Sequence, residues 1–100
     1  MVTTQDNVAM VQARRAAKKA AVAAQIAAIP TANDWIADEL VKAGLETRYP
    51  DGTPVLYFED RGGVVYDCDW SHAEPAVGHD LTNESAVREF AASYAKALKS

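Results

Sequence analysis

Aromatic residues are missing from the first thirty-four positions of this 100-residue chain. A stretch without Trp, Tyr or Phe has few large side chains to bury, so it adds little to a core. Cysteine is almost missing as well. Cys68 stands alone, no intramolecular disulfide can form, and a reducing, cytoplasmic setting fits. No run of eighteen apolar residues occurs, so nothing is expected to cross a membrane. The N-terminal cations begin only at Arg14, after Asp6, which is not a secretory pattern. Gly62 and Gly63 lack the frame of a phosphate loop, and no helix signal follows them; they read as a hairpin turn.

What is present divides the chain in two. Trp35, Tyr49, Tyr57, Phe58, Tyr66, Trp70, Phe90 and Tyr94 can supply a packed body over residues 31–100. Residues 1–30 read as an alanine-rich helical arm. Together they make a single domain, 1–100, of a size that buries one modest core. The net charge of -4 is split unevenly. The arm sets four cations against Asp6, a net +3, while the body sets six cations against thirteen acids, a net −7. A generic nucleic-acid binder is disfavoured, because such a body repels phosphate.

Element signals predict an α+β fold in the order ααβββα. The first helix is expected over about 4–28, with Thr3 and Asp6 as a capping pair and Pro30 as its stop. Val8, Val11, Val22, Ile26 and Ile29 share one side with Arg15, Lys18 and Lys19, while the opposite side is nearly all alanine. The end of this helix, from Val22 to Ile29, is expected to pack on the body. A second helix is expected over about 33–43, closed by Gly44 with Leu45 folding back on Leu40. Strands are expected over 46–49, 55–59 and 64–70, joined by the Pro50–Gly52 turn and by Gly62–Gly63. On the third strand Val64, Tyr66, Cys68 and Trp70 read as the core face. Register stays open: a two- or four-residue turn sets Val55 and Tyr57 beside Tyr66 and Cys68, a three-residue turn sets Leu56 and Phe58 there. Residues 71–80 read as a loop. A last helix over about 83–98, capped by Thr82 or Asn83, carries the stripe Val87, Phe90, Ala91, Tyr94 and Leu98. The core is expected to stack Tyr57, Tyr66 and Trp70 against Trp35, Ile36, Leu40, Phe90 and Tyr94.

Few residues invite chemistry. Cys68, His72 and His79 can be drawn as zinc ligands, but structural zinc sites use four ligands in close pairs, and no close pair occurs. Cys68 with His72 can be drawn as nucleophile and base, but a thiol on a core face is blunted by burial. Asp67 and Asp69 share a strand face, as solvated strand edges often do. The expectation is therefore no catalytic residue, no metal and no cofactor. Contact is the remaining role. Arg14, Arg15, Lys18 and Lys19 form the basic cluster of the arm. Exposed Leu56 and Phe58 rimmed by Glu59, Asp60, Asp67 and Asp69 would make a protein-binding patch. Another protein is the expected partner, with the alanine face of the first helix as a route to a homodimer and nucleic acid as the lesser alternative. The character of the chain suits a small inhibitor or adaptor, of the kind phages and mobile elements carry, that blocks a nucleic-acid-handling complex. An antitoxin-like accessory using the basic helix is the other reading.

Overall fold

A computed structural model of the chain describes residues 4–69 and 72–100, with side chains along the first helix from Val11 onward. Thr3, Trp70 and Ser71, and the side chains of Asp6 and Val8, lie outside the described residues. The architecture is α+β. Helix α1 spans Thr4–Lys42, strand β1 Leu56–Arg61, β2 Val64–Asp69, β3 Ala73–Pro75, and helix α2 Glu84–Leu98. The three strands form one antiparallel sheet in the order β1-β2-β3.

The two helices expected at the start are one. Pro30 does not stop α1 but sits inside it, with its ring exposed. Proline in a helix interior removes one backbone hydrogen bond and costs about 3 kcal/mol. Contacts on both sides of Pro30 offset that cost. Before it, Gln25 Oε1 accepts from the Leu81 amide at 2.7 Å, and Ala28 and Ile29 pack against the core. After it, Ala32, Ile36 and Leu40 are fully or almost fully buried. The true stop is Gly44, at φ 77°. The Leu45 amide donates to the Leu40 carbonyl at 2.9 Å and the Gly44 amide to the Val41 carbonyl at 2.9 Å, the paired bonds of a Schellman end.

The first expected strand, 46–49, shrinks to a single bridge between Arg48 and Pro54. Pro54 has no N–H, so a ladder cannot run past it. The intended turn does form, with the Gly52 amide donating to the Tyr49 carbonyl at 2.9 Å. The third strand comes instead from the stretch read as a loop. Ala73–Pro75 pairs with β2 through Cys68↔Ala73 and Tyr66↔Pro75. All three of its residues are exposed, so no hydrophobic alternation announced it.

The second hairpin turns in two residues, Arg61 opposite Val64, with Gly62 at φ 64° and Gly63 at φ 88°. Those angles are the left-handed pair of a type I′ turn. Tyr57 therefore faces Cys68 across the ladder, and Phe58 faces Asp67. The buried face, however, carries Leu56 and Phe58, at 5% and 2% exposure. Tyr57, Glu59 and Arg61 lie on the other. The reading of β2 alone chose the face of Val64, Tyr66 and Cys68; on it Cys68 is buried, at 1% exposure, while Tyr66 is half-buried and Val64 exposed. β1 decides otherwise, because burying its odd face would bury Glu59 and Arg61. The core joins Ala32, Ile36 and Leu40 of α1 and Val87, Ala91 and Ala95 of α2 to Val55, Leu56, Phe58 and Leu81. Trp35, Phe90 and Tyr94 pack around it, half-buried.

Two polar devices tie these layers. Asn33 on α1 accepts from the Phe58 amide at 2.7 Å and donates to the Phe58 carbonyl at 3.1 Å. Arg88 on α2 reaches Asp38 and, at 2.8 Å, Glu39 on α1, and also Glu84 on its own helix. Asn83 caps α2, accepting from the Ala86 amide at 3.1 Å.

Candidate interaction surface

The radius of gyration is 17.4 Å, against about 13 Å for a compact chain of this length, and the long dimension is 61 Å against 25 and 22 Å. The excess is α1. Every residue from Val11 to Ala24 is exposed. Contact with the body begins at Gln25, so the arm is shorter than residues 1–30 and stands off the body for about 21 Å of described helix. The C-terminal end of the expected arm, Gln25 to Ile29, does pack on the body, but Val22 lies beyond it at 37% exposure.

Alanine explains how such a helix holds. It has the highest intrinsic helix propensity, and a propagating helix needs no tertiary partner once its other end is anchored. Arg14, Arg15, Lys18 and Lys19 are all exposed, and none takes part in an ion pair among the described residues. At about 100° per residue, Arg14, Lys18, Val11 and Val22 point the same way as Ala32, Ile36 and Leu40. The basic side of the arm is thus the side on which α1 meets its own body. The alanine side, with Ala13, Ala17, Ala20 and Ala24, points away from the body and is exposed.

Where arm and body diverge they leave a notch of about 610 Å³. Lys18, Val22 and Gln25 line one wall, and Val64, Val65, Ala76 and Val77 line the other. Val64 is 47% exposed and Val77 85%. Asp80 helps hold the mouth: it accepts from Gln25 Nε2 at 3.1 Å and from the Thr82 hydroxyl at 2.6 Å, and these bonds hold its carboxyl below the usual value, that from Thr82 most strongly.

The acids expected to rim a binding patch are dispersed. Leu56 and Phe58 are core, so the patch they were to form does not exist. Glu59 is on the outer sheet face, bound to Arg61 at 2.7 Å. Asp60 accepts from the Gly63 amide at 2.8 Å and shapes the hairpin tip. Asp67 and Asp69 do sit beside Phe58 and Leu56, but on the face turned towards the helices. Asp67 lies 3.5 Å from His79, whose ring packs on Phe90 at 4.5 Å between centroids. Burial pushes the Asp67 carboxyl up, with His79 acting against it. Asp69 accepts from the His72 amide at 3.0 Å. Burial, then Asp69 and Tyr49, pushes the Tyr94 phenol up to about 12.

The outer sheet face carries a small polar cluster that the sequence reading missed. The Arg61 guanidinium lies 5.1 Å from the centre of the Tyr66 ring and 3.9 Å from the Cys68 sulfur. The β1–β2 register alone brings these together. Burial pushes the Cys68 thiol up, which keeps it protonated and poorly nucleophilic at neutral pH. Among the described residues no three His, Cys, Asp or Glu side chains are grouped to hold a metal, and no helix is long and apolar enough to cross a membrane. No family model matches the chain, nor does any curated protein or solved structure.

Proposed function

We propose that the chain is a non-catalytic interaction module whose contact element is the basic arm. One observation carries this reading: charges of opposite sign are held apart in space. Four cations stand on an exposed helix without an ion pair among the described residues, while the acids gather on the body. An exposed basic helix of this length adds nothing to the core, so its worth lies in what it touches. In finer form, the protein is a small cytoplasmic inhibitor of phage or mobile-element type. Its acidic body stands in for phosphate on a nucleic-acid-handling complex. A second reading draws on the same cations. Arg14, Arg15, Lys18 and Lys19 lie within two helical turns, a spacing that suits backbone phosphates in an antitoxin-like accessory.

One experiment separates the readings. The full chain and a variant with Arg14→Gln, Arg15→Gln, Lys18→Gln and Lys19→Gln are run on heparin and duplex DNA across a salt series, and both are used to capture proteins from the native host. Binding to DNA through four cations gives a log–log salt slope of about −3 to −4, lost in the variant. That result supports the accessory. Absence of DNA binding at low salt, with capture of a host protein that the variant loses, supports the interaction module. Equal behaviour of variant and parent in both assays removes the arm from either role.

A further inference from the structure

The notch between arm and body is lined by Lys18 on the arm and by valines, with acids near its body side. On the arm wall stand Lys18 and, further out on the same side, Arg14 and Arg15. Beside the body wall, outside the lining itself, lie Asp60, opposite the lining residue Val65 in the ladder, and Glu74, next to the lining residue Pro75. Both acids are exposed, and neither is in an ion pair among the described residues. Between the walls, Val22, Val64 and Val77 offer apolar surface to solvent, and Val11 continues it along the arm. Of the large hydrophobics exposed among the described residues, Val22, Val64 and Val77 thus line the notch, and Val11 lies on the same side of the arm.

The same side of α1 shows a repeat that runs through the arm–body boundary. Val11, Arg15, Lys18, Val22, Gln25, Ile29, Ala32 and Ile36 follow one another at spacings of three and four. This is the seam by which a helix meets a partner. From Gln25 onward the seam is covered by the chain's own body. Before Gln25 it is bare.

We infer that the bare seam and the notch are covered by a second copy of this chain, in a two-fold clasp where each hairpin enters the other's notch. The inference rests on reading the arm as a contact element and names its partner. A surface with cations on the arm, acids beside the body side of the notch and valine between them is complementary to itself under a two-fold rotation: each arm's cations meet the other copy's Asp60 and Glu74. An arm laid against another arm sets cation against cation, so arm-to-arm pairing along the seam is disfavoured. The clasp differs from dimerisation through alanine, since the alanine side of α1 points away from the notch.

Sedimentation equilibrium of the full chain tests the clasp. A dimer is expected that loosens as salt rises. Val22→Asp weakens it by at least roughly tenfold, and so does Lys18→Glu, while circular dichroism shows both variants folded. Adding Glu74→Lys to Lys18→Glu recovers a substantial part of the loss, because the pair is restored across the interface. Ala20→Glu, on the outer side, leaves the dimer unchanged. A monomer at concentrations on the order of 100 μM in low salt overturns the clasp. So does a dimer lost with Ala20→Glu but kept with Val22→Asp, which assigns pairing to the alanine face. A monomer whose arm still captures a host protein defeats the clasp alone, whereas a dimer indifferent to Lys18→Glu and Val22→Asp defeats the arm as a contact element too.

Discussion

The two halves of α1 obey the same helical geometry and differ in everything that surrounds them. From Ala32 to Leu40 the helix is fastened by a buried stripe, by Asn33 on β1 and by Asp38 and Glu39 on Arg88. From Val11 to Ala24 it has alanine propensity and solvent. The first half would be no helix without the fold, since isolated helices of such length are marginal in water. The second half is a helix because the first anchors it. The lesson is that an exposed segment inherits order from a buried one along a shared hydrogen-bond ladder, and Pro30 marks the junction without severing it.

The contrast can be broken first at the core. Phe58→Ala removes the ring that α1 and α2 share, at 2% exposure. It should cost about 3–5 kcal/mol in urea unfolding, with the arm melting in the same transition. An arm that keeps its helical signal after the body has unfolded would show that it does not depend on the anchor. Asn33→Ala comes next. It strips both partners from the Phe58 backbone and should cost on the order of 1–3 kcal/mol, because the amide and carbonyl are left part-buried and unpaired. A loss no larger than that of an exposed arm substitution would remove the tie from the anchored half.

Ionisation sharpens the comparison with a smaller effect. The Arg88 guanidinium holds the Asp38 carboxyl below its ordinary 3.8, and Lys42 followed by Arg88 holds Glu39 below 4.5. A carboxylate with a depressed folded pKa stabilises the fold above its unfolded value, and that contribution fades as pH falls through the folded one. Tyr94 runs the other way. Its phenol, raised from 10.0 to about 12, contributes fully below pH 10 and ceases to contribute as pH passes 12. Melting temperatures across pH should therefore decline below about pH 4.5 and above pH 10. In Arg88→Met the acid limb should flatten, and in Tyr94→Phe the alkaline limb. Limbs unchanged in these variants would assign the pH dependence elsewhere.

The smallest effect is expected on the arm itself. Val11→Ala should alter stability by less than about 0.5 kcal/mol in dilute monomer. Hydrogen exchange should divide at Gln25: amides from Val11 to Ala24 exchange readily, those from Ala32 to Leu40 only on global unfolding. Protection of the arm equal to that of the core, in a sample shown to be monomeric, would erase the distinction between the halves.

Much of this was legible in the chain. The α+β class, the Gly44 stop, the Tyr49–Gly52 turn, the two-glycine hairpin and the α2 stripe each rest on residues within a few positions of one another. So did the basic, alanine-rich character of the arm. Pro30 misled because a local breaker was weighed without the contacts of Gln25 and Ile36 on either side. The sheet face misled because β2 offered aromatic residues on one side, while the choice belonged to β1, where Glu59 and Arg61 resist burial. β3 has no apolar alternation and exists only because β2 supplies a partner edge.

Local order and charge, then, were determined by the sequence: alanine propensity, turn glycines and the opposition of a positive arm to a negative body all act over short range. Tertiary structure alone decided that α1 runs unbroken through Pro30, that Leu56 and Phe58 are core, and that the arm's cations overlook a valine-floored notch. Each of these turns on contacts between residues far apart in the chain, whose energies outweigh a local preference of a few kcal/mol.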